Sequence, residues 1–353
     1  MLWKKKLLQI NELKPGMVLA KDIIFEDRVL LAKDIAITES ALTQLKRNYI
    51  IDSVEVYLEG SYDNELLTLK IKSVEEIENT FNEFSSNLED IFDRISNLKV
   101  HEIDEIRTFS KKIQEEFNST GLVIRNILFH GNVKNNVYKH SVNVAAISFI
   151  LGKWLGLDER EINLLTYSAI LHDFGKIKLD KNILNKNTRL TSEEYKIFKT
   201  HPVIGYRFVK EISYLDNSVA CGILMHHERI NGSGYPLGIK EGKIHKFAKI
   251  IAIADLFDRV SSDTYSKKIN GPFEALKVIQ DESLEKFDHA YCNMFLNHVI
   301  NYFIGENVML NNQRSCKVIQ VNINDLTRPL LLGDNGFLDL KKEKNLYVTK
   351  LII

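Results

Sequence analysis

The chain has 353 residues, of which 44% are hydrophobic and 27% charged, as in an ordinary globular protein of two or three domains. Its 47 basic and 47 acidic residues give a formal net charge of zero, so it lacks the basic excess typical of proteins that bind duplex nucleic acid. The three cysteines form no CxxC pair, and neither a signal-peptide core nor an apolar run of 18 residues is present, so we expect a cytoplasmic protein without a membrane span.

Residues 1–72 are predicted to form a small β-rich unit. Two apolar runs with β-branched residues, 14–25 and 27–38, read as strands, and SVEVYL at 53–58 returns to a strand. Between them, the segment 38–50 reads as a short helix that Thr38 would cap.

A helical arm is predicted over residues 73–124. Apolar residues alternate four and three apart, which forms a seam over three heptads. The seam consists of Ile77, Phe81, Phe84, Leu88, Ile91, Ile95 and Leu98. Two interpretations follow from this pattern, a dimeric coiled coil that makes the protein a homodimer through residues 77–98, or an arm that packs on its own chain.

Residues 125–300 show the apolar spacing of a helical bundle. The segment 140–157 is apolar nearly all round, which is typical of a buried helix. Thr191 and Glu194 form a capping-box pattern, and Phe247, Ile251 and Asp255 lie four apart on one stripe of another helix. The predicted fold is therefore mainly α.

Residues 301–353 are predicted to form a small β appendage. Four short apolar runs, NVML, CKVIQVNI, RPLLLG and LYVTKLII, have the length and composition of strands. Polar turn clusters such as NNQR and GDNG separate several of these runs.

Histidines and aspartates recur where apolar elements of the bundle end or point inward. The set consists of His140, His172, Asp173, His201, His226, His227 and Asp255. A lone buried histidine is usually structural, but a buried carboxylate needs a charge partner, and a divalent cation would also use the neutral imidazoles. Mixed His and Asp ligands suit iron, manganese or zinc, and an adjacent His-Asp pair lets the aspartate bridge two metals.

The order of these residues closely resembles the HD-GYP family, a subclass of the HD-superfamily metal-dependent phosphohydrolases. The motifs are HDFGK at 172–176 and HHERINGSGYPLG at 226–238, in which GYP is Gly234, Tyr235 and Pro236. The resemblance covers roughly residues 125–300, with a weak N-terminal echo in LKPGMVLAKDI. It implies an HD-type helical bundle that hydrolyses cyclic di-GMP, with all seven His and Asp residues as metal ligands.

The resemblance also assigns roles to individual residues. Asp173, as the metal bridge, and Lys176 are the expected catalytic residues, and a metal-bridged hydroxide would open the ring to the linear dinucleotide pGpG, with onward cleavage to GMP left open. We expect two divalent ions, iron or manganese, with zinc as an alternative. The expected substrate contacts are Lys176, Gly234, Tyr235, Pro236 and Lys267.

Two positions depart from the family pattern. Family members with three metals carry a glutamate where this chain has Asn136, and the usual substrate arginine is replaced by Thr264, so that Lys267 or Lys268 would have to substitute. Two rival functions therefore stay open. One is a catalytically weak signalling module that binds a cyclic dinucleotide, and the other is an HD hydrolase for another cyclic dinucleotide or nucleotide.

Overall fold

The computed structural model divides the chain into two compact units. One comprises residues 78–269 and 275–295, and the other comprises residues 1–77, 270–274 and 296–353. The structure describes residues 5–14, 16–21, 23–25, 28–31, 37, 42, 45–46, 53–57, 74–98, 103–117, 120–130, 136–184, 186, 188–212, 215–262, 269, 271–334 and 336–352. Most of the predicted arm therefore shares a unit with the predicted bundle, and the four-part division of the chain stays a prediction.

Helices dominate the described residues, as predicted for a mainly α protein. In chain order they are α1 (Val74–Leu98), α2 (Ile103–Glu116), α3 (Thr120–His130), α4 (Val137–Trp154), α5 (Glu159–Leu171), α6 (Lys181–Leu184), α7 (Ser192–Phe198), α8 (His201–Lys210), α9 (Asn217–Met225), α10 (Lys246–Val260), α11 (Pro272–Glu282) and α12 (His289–Val299). A 3-10 segment, Phe174–Lys178, follows α5. Across the described part of the chain, none of these helices combines the length and apolarity that a bilayer crossing requires.

Side-chain caps fix where several helices begin. The Asn136 side chain accepts hydrogen bonds from the first-turn backbone of α4, and Asp158 does the same for α5. The predicted capping box is confirmed, because Thr191 and Glu194 bond reciprocally to each other's backbone at the start of α7. Helix α8 begins at His201, directly before Pro202, whose fixed φ suits the first turn of a helix.

Helices α4, α5 and α10 form the centre of the bundle, and α4 packs against both of the others. Helix α4 is buried on nearly every side, as its uniformly apolar sequence predicts. The predicted stripe of Phe247, Ile251 and Asp255 on α10 is also buried. The apolar faces thus bring the inward-facing His140 and Asp255 to one region of the core.

The seam of the arm is buried against its own chain. Phe81 and Leu88 are fully buried on α1, and the Phe81 ring lies 4.2 Å from that of Phe117, which follows α2. The half-buried Phe84 contacts Phe109 at a centroid distance of 5.5 Å. Of the two interpretations of the heptads, the structure therefore shows packing within one chain, and a homodimer through this helix stays untested.

The described strands form three antiparallel sheets in the second unit. Strands β1 (Lys5–Gln9) and β4 (Ser53–Tyr57) pair with each other, as do β2 (Ile23–Phe25) and β3 (Arg28–Leu31). A five-stranded sheet has the order β8-β7-β6-β5-β9, with β5 (Asn307–Leu310), β6 (Ser315–Asn322), β7 (Asp325–Gly333), β8 (Gly336–Asp339) and β9 (Val348–Ile352). The four C-terminal runs are confirmed as strands, β8 was not predicted, and the helix predicted from Thr38 lies mostly outside the described residues.

Candidate metal centre

Seven buried side chains converge in the helical unit, and they are the seven that the sequence singled out. The ligand atoms of Asp173, His201, His226 and His227 lie within 4.8 Å of one another, and so do those of His140, His172 and Asp255. His140 lies in the first turn of α4, His172 and Asp173 follow α5, His201 opens α8, His226 and His227 follow α9, and Asp255 belongs to α10. Two adjacent groups of ligands therefore meet where these elements end.

The carboxylate of Asp173 lies between the two groups. Its Oδ1 atom is 3.2 Å from His201 Nε2 and 3.8 Å from His226 Nε2. Its Oδ2 atom is 3.4 Å from His172 Nε2 and 3.5 Å from His140 Nε2. One oxygen thus faces each group, which is the arrangement that a carboxylate needs to bridge two cations.

Backbone carbonyls orient three of the imidazoles in the same way. His172, His201 and His226 each place Nδ1 against the carbonyl oxygen three residues earlier, at 2.7, 2.8 and 2.7 Å respectively. Because a carbonyl oxygen accepts and does not donate, the ring proton resides on Nδ1 and the Nε2 lone pair points into the cluster. This hydrogen bond on the far nitrogen is the usual support of a metal-ligating histidine.

His140 has a carboxylate in place of a carbonyl behind it. Its Nδ1 atom donates to Asp258 Oδ2 at 2.6 Å, and Asn143 donates to Asp258 Oδ1 at 2.6 Å. Burial lowers the pKa of His140, but its hydrogen bonds with Asp255 and Asp258 outweigh this and raise it to about 9. Asp258 was not singled out from the sequence, although its place three residues after Asp255 on a buried helix was a usable signal.

The charge states of the cluster suit a divalent cation. Burial alone would raise the pKa of Asp173, but the positive charge of Lys176, the largest opposing effect, helps to bring it well below its usual range. Arg259 likewise overcomes burial to lower the pKa of Asp255. Burial lowers the pKa values of His201, His226 and His227. Neutral imidazoles beside ionised carboxylates are a donor set for iron, manganese or zinc.

An unpartnered atom tests the fit of a metal independently. His227 Nε2 is buried and finds no hydrogen-bond partner among the described residues, and it belongs to the group around Asp173. An orphaned buried nitrogen costs about 1–3 kcal/mol unless something compensates for it. A cation between this nitrogen and Asp173 would satisfy it, so the residues present fit a metal ion.

The HDFGK segment brings Asp173 and His201 together by close backbone packing. A Cβ atom on Gly175 would lie 2.0 Å from the carbonyl oxygen of His201, so only glycine permits this approach. Lys176, the next residue, turns back so that its Nζ lies 2.5 Å from Asp173 Oδ2. The motif therefore positions the Asp173 carboxylate, the His201 imidazole and the Lys176 ammonium relative to one another.

The GYP loop packs its backbone against the end of the two-histidine segment. A Cβ atom on Gly234 would lie 2.4 Å from the backbone nitrogen of Arg229, so the loop could not follow its present path with another residue there. The Tyr235 ring stacks on the His227 imidazole with centroids 4.6 Å apart. Gly234 and Tyr235 line the cavity above the cluster, whereas Pro236, joined to Tyr235 by a cis peptide bond, is not among the described lining residues.

Glu228 binds the backbone of the loop just after the GYP residues, a role that was not predicted from the sequence. Its carboxylate is buried and accepts hydrogen bonds from the backbone of Leu237 at 2.6 Å and Ile239 at 3.1 Å. A buried carboxylate that accepts backbone donors rigidifies the segment that supplies them. The signal was its position, directly after the paired histidines and before a loop rich in glycine.

Four residues of the cluster, His140, Asp173, His227 and Asp255, line a cavity of about 440 Å³. Four basic residues line this cavity, Lys176, Arg229, Arg259 and Lys286. Arg229, Arg259 and Lys286 were not predicted, and the predicted substrate residue Lys267 lies outside the described residues, as do Thr264 and Lys268. A polar cavity with basic walls above a His and Asp cluster suits an anionic ligand.

Comparison with protein families places this cluster in a known class. Residues 123–291 match the family model described as HD domain. A solved structure of an HDG"Y"P protein from Bdellovibrio bacteriovorus is similar over 83% of this chain and 99% of that one, with a TM-score of 0.52 and 19% identity. Residues 123–291 therefore match an HD domain, and they contain the HDFGK and GYP motifs on which the predicted HD-GYP resemblance rests. At that level of identity the solved structure confirms the predicted HD-type helical fold and no more.

Curated relatives of this domain include phosphodiesterases of two named specificities. A cyclic di-GMP phosphodiesterase of Pseudomonas aeruginosa is 31% identical over 54% of this chain and 46% of its own. The cyclic di-GMP phosphodiesterase PdeB of Borreliella burgdorferi is 26% identical over 81% of this chain and 75% of its own. The 3'3'-cGAMP-specific phosphodiesterase 1 of Vibrio cholerae is 30% identical over 46% of this chain and 37% of its own. The chain thus spans about half the length or less of two of these relatives.

Proposed function

We propose that the protein is a metal-dependent phosphodiesterase that opens a cyclic dinucleotide, with cyclic di-GMP as the expected substrate. The observation that carries this proposal is the Asp173 carboxylate, which lies between two groups of buried imidazoles on the floor of a basic cavity. The cavity volume falls within the roughly 300–1,000 Å³ of small-molecule sites. Relatives named as phosphodiesterases of cyclic di-GMP and of 3'3'-cGAMP support the substrate class.

We infer that the seven clustered residues hold two divalent cations, one in each group. Iron or manganese is the expected metal, with zinc as the alternative, and bound cations would supply Lewis-acid activation of water and neutralisation of phosphoryl charge. Asn136 supports two ions over three, because its side-chain oxygen accepts the backbone N–H groups of Tyr138 and Lys139 at 2.8 and 3.1 Å. An oxygen committed to capping a helix is a poor candidate for a third metal.

Lys176 and Tyr235 are the residues of the cavity that we assign to the substrate. The ammonium of Lys176 lies beside Asp173 and over the Phe198 ring, so it faces a phosphoryl oxygen placed at the bridging carboxylate. Burial raises the pKa of Tyr235, so that its hydroxyl stays protonated and able to donate a hydrogen bond. Its ring already stacks on His227 and orients that imidazole. Gly234, Pro236 and Lys267 stay predicted contacts.

One alternative is another cyclic dinucleotide as substrate, which the Vibrio cholerae relative of different specificity favours. Nothing in the geometry of the metal groups depends on the base. A catalytically weak signalling module is the other alternative, and the replacement of the usual substrate arginine by Thr264 motivates it. The presence of all seven candidate ligands in one buried cluster argues for turnover.

The test is product analysis with protein loaded anaerobically with iron, manganese or zinc. We expect cyclic di-GMP to yield the linear dinucleotide pGpG, with GMP slow or absent, and two equivalents of metal per chain. A panel that includes 3'3'-cGAMP compares the rates for different bases. Binding of substrate without turnover by any metal form would favour the signalling module, and three equivalents of metal would contradict the two-ion site.

A matched pair of lysine variants tests the role of the cavity cation. Lys176→Met should lower kcat by about 100-fold or more, as removal of one preorganised donor does in other hydrolytic sites. Lys178→Met is the control, because Lys178 lies on the same 3-10 segment but donates to the Ser96 carbonyl oxygen at 3.2 Å. Equal activity of the two variants would remove Lys176 from the proposed mechanism.

A further inference from the structure

Two cations flank the cluster, and each is paired with a different carboxylate. Lys176 Nζ lies 2.5 Å from Asp173 Oδ2, and Arg259 Nη2 lies 2.7 Å from Asp255 Oδ2. The other oxygen of Asp255 faces the cluster, at 3.2 Å from His140 Nε2. The guanidinium of Arg259 is therefore fixed on the Oδ2 atom of Asp255, whereas Lys176 lies on the central carboxylate, Asp173.

The basic wall of the cavity contains a second guanidinium. Arg229 is held by the carbonyl oxygens of His226 at 3.2 Å and Glu228 at 2.8 Å, and its guanidinium lies 4.5 Å from the Phe287 ring centroid. Burial and then the charge of Arg259 lower the pKa of Arg229. Two like charges on one wall of a partly enclosed cavity repel each other, and an anion beside them relieves that repulsion.

The three cations of this wall, Lys286, Arg229 and Arg259, differ in the groups that they pair with. Lys286 is paired at 2.8 Å with Glu282, the last residue of α11, and Arg229 is bound to backbone carbonyls. The Arg259 side chain is 40% exposed and lines the cavity. Its Nε atom donates to the Asp255 carbonyl oxygen at 3.4 Å, and its Nη2 atom pairs with the Asp255 carboxylate, which a metal would share. A planar guanidinium matches the oxygens of a phosphodiester, so Arg259 is the member of this wall best suited to an incoming phosphate.

We propose that Arg259 binds the second phosphate of the cyclic dinucleotide, the one that is not being cleaved. The inference rests on the proposed function, because a cyclic dinucleotide carries two phosphodiesters and the first must lie at Asp173 and Lys176 to be hydrolysed. Arg259 lines the same cavity from a different carboxylate of the cluster, Asp255. A metal ion bound by Asp255 would share the negative charge that now pairs with Arg259. The guanidinium would then bind a phosphate more strongly, because less of its charge is neutralised by Asp255.

Binding and turnover of Arg259→Met against two ligands test this assignment. The first ligand is the bisphosphorothioate analogue of cyclic di-GMP, whose affinity for manganese-loaded protein is measured by calorimetry. We expect Arg259→Met to weaken it about 10- to 100-fold, the range for loss of a charge-assisted contact. The second is bis(p-nitrophenyl) phosphate, a diester with a single phosphate, whose turnover should change less than about threefold if the contact is to the second phosphate only.

Controls separate this inference from a positioning role and from the proposed function. Arg160→Met removes the same charge from an exposed surface ion pair with Asp216 and should leave analogue binding unchanged. Because Arg259 pairs with Asp255, the metal content of Arg259→Met is measured as well, and analogue affinities are compared only at equal metal occupancy. Unchanged analogue affinity, or an equal loss for the single-phosphate diester, would overturn the assignment. If wild type binds the analogue through Arg259 yet hydrolyses no cyclic dinucleotide, the proposed function fails and the inference stands.

Discussion

Asp258 supports the metal centre through a single hydrogen bond, and a graded pair of variants measures what that support contributes. Its carboxylate accepts from His140 Nδ1 and from Asn143 at 2.6 Å each, in a fully buried position. In Asp258→Asn the amide oxygen still accepts from His140, and the new amide N–H groups face Asn143. Within the described part of the chain the Asn143 Oδ1 atom has no hydrogen-bond partner, so it becomes the acceptor if the Asn143 amide flips. The hydrogen bond therefore survives, but the charge behind His140 is lost.

The expected magnitudes follow from what each variant removes. Loss of an outer partner of a metal-ligating histidine costs about 10- to 100-fold in metal affinity. We place Asp258→Asn at about 10-fold, or about 1.4 kcal/mol, because the acceptor remains, and Asp258→Ala at about 100-fold, because acceptor and charge both go. Both variants should also lower the pKa of His140 from about 9, since the Asp258 carboxylate is one of the groups that raise it.

Chelator competition with manganese measures the affinity, and NMR titration of the metal-free protein measures the pKa of His140. The control is Asp281→Asn, which removes an equal charge from an exposed aspartate paired with Lys277. Equal metal affinity in wild type, Asp258→Asn and Asp258→Ala, with the fold intact by circular dichroism, would refute the supporting role of Asp258.

Three further predictions concern the ligands, the loop and the pH dependence. His172→Ala or Asp173→Ala should abolish both metal retention and hydrolysis, and full activity with unchanged metal stoichiometry would contradict the site. Gly234→Ala should lower the free energy of unfolding in urea by about 1–3 kcal/mol, because its Cβ meets backbone atoms. Gly242→Ala, whose Cβ meets nothing within 4 Å, should change it by less than about 1 kcal/mol, and equal effects of the two would refute the argument. The pKa of His140 is about 9 in the folded protein, above the roughly 6.5 of a histidine in the unfolded chain. Protonation of His140 therefore stabilises the metal-free fold. This stabilisation is fully present below about pH 6.5 and is lost as the pH rises through about 9. Metal binding between these values should release a proton, which calorimetry in buffers of different ionisation enthalpy detects, and no release would contradict the assignment.

The cluster of candidate metal ligands could be predicted from the sequence alone, because its members are recognisable by residue type and by their position on apolar helices. Histidine and aspartate at the ends of apolar helices have few structural reasons to be buried together, and the structure brings all seven into one centre. The buried helix α4, the capping box at Thr191 and four of the C-terminal strands were also predictable from local patterns. Each of these depends on short-range periodicity or on a cap, and both are written in consecutive residues.

The supporting residues were harder to predict because their partners come from other elements. Glu228 acts on the backbone of the loop some ten residues later, and Asp258 on α10 acts on a histidine of α4. Arg259 reads as a surface arginine until α10 is placed beside the cavity. The heptads of α1 were ambiguous for the same reason, since a period of 3.5 does not say whether Phe81 packs on another chain or, as found, on Phe117.

The charges of the centre connect metal loading to the binding of an anionic substrate. Among the described residues, the carboxylates of Asp173, Asp255 and Asp258 are opposed by Lys176, Arg259 and an imidazolium at His140, so these side chains nearly balance by themselves. Divalent cations that displace the proton of His140 leave a surplus of positive charge in a cavity with low-dielectric walls, where an electrostatic field is strong. A ligand with two negative charges, such as a cyclic dinucleotide, would offset most of this surplus. The same surplus disfavours uncharged esters, so the basic wall contributes to substrate choice as well as to affinity.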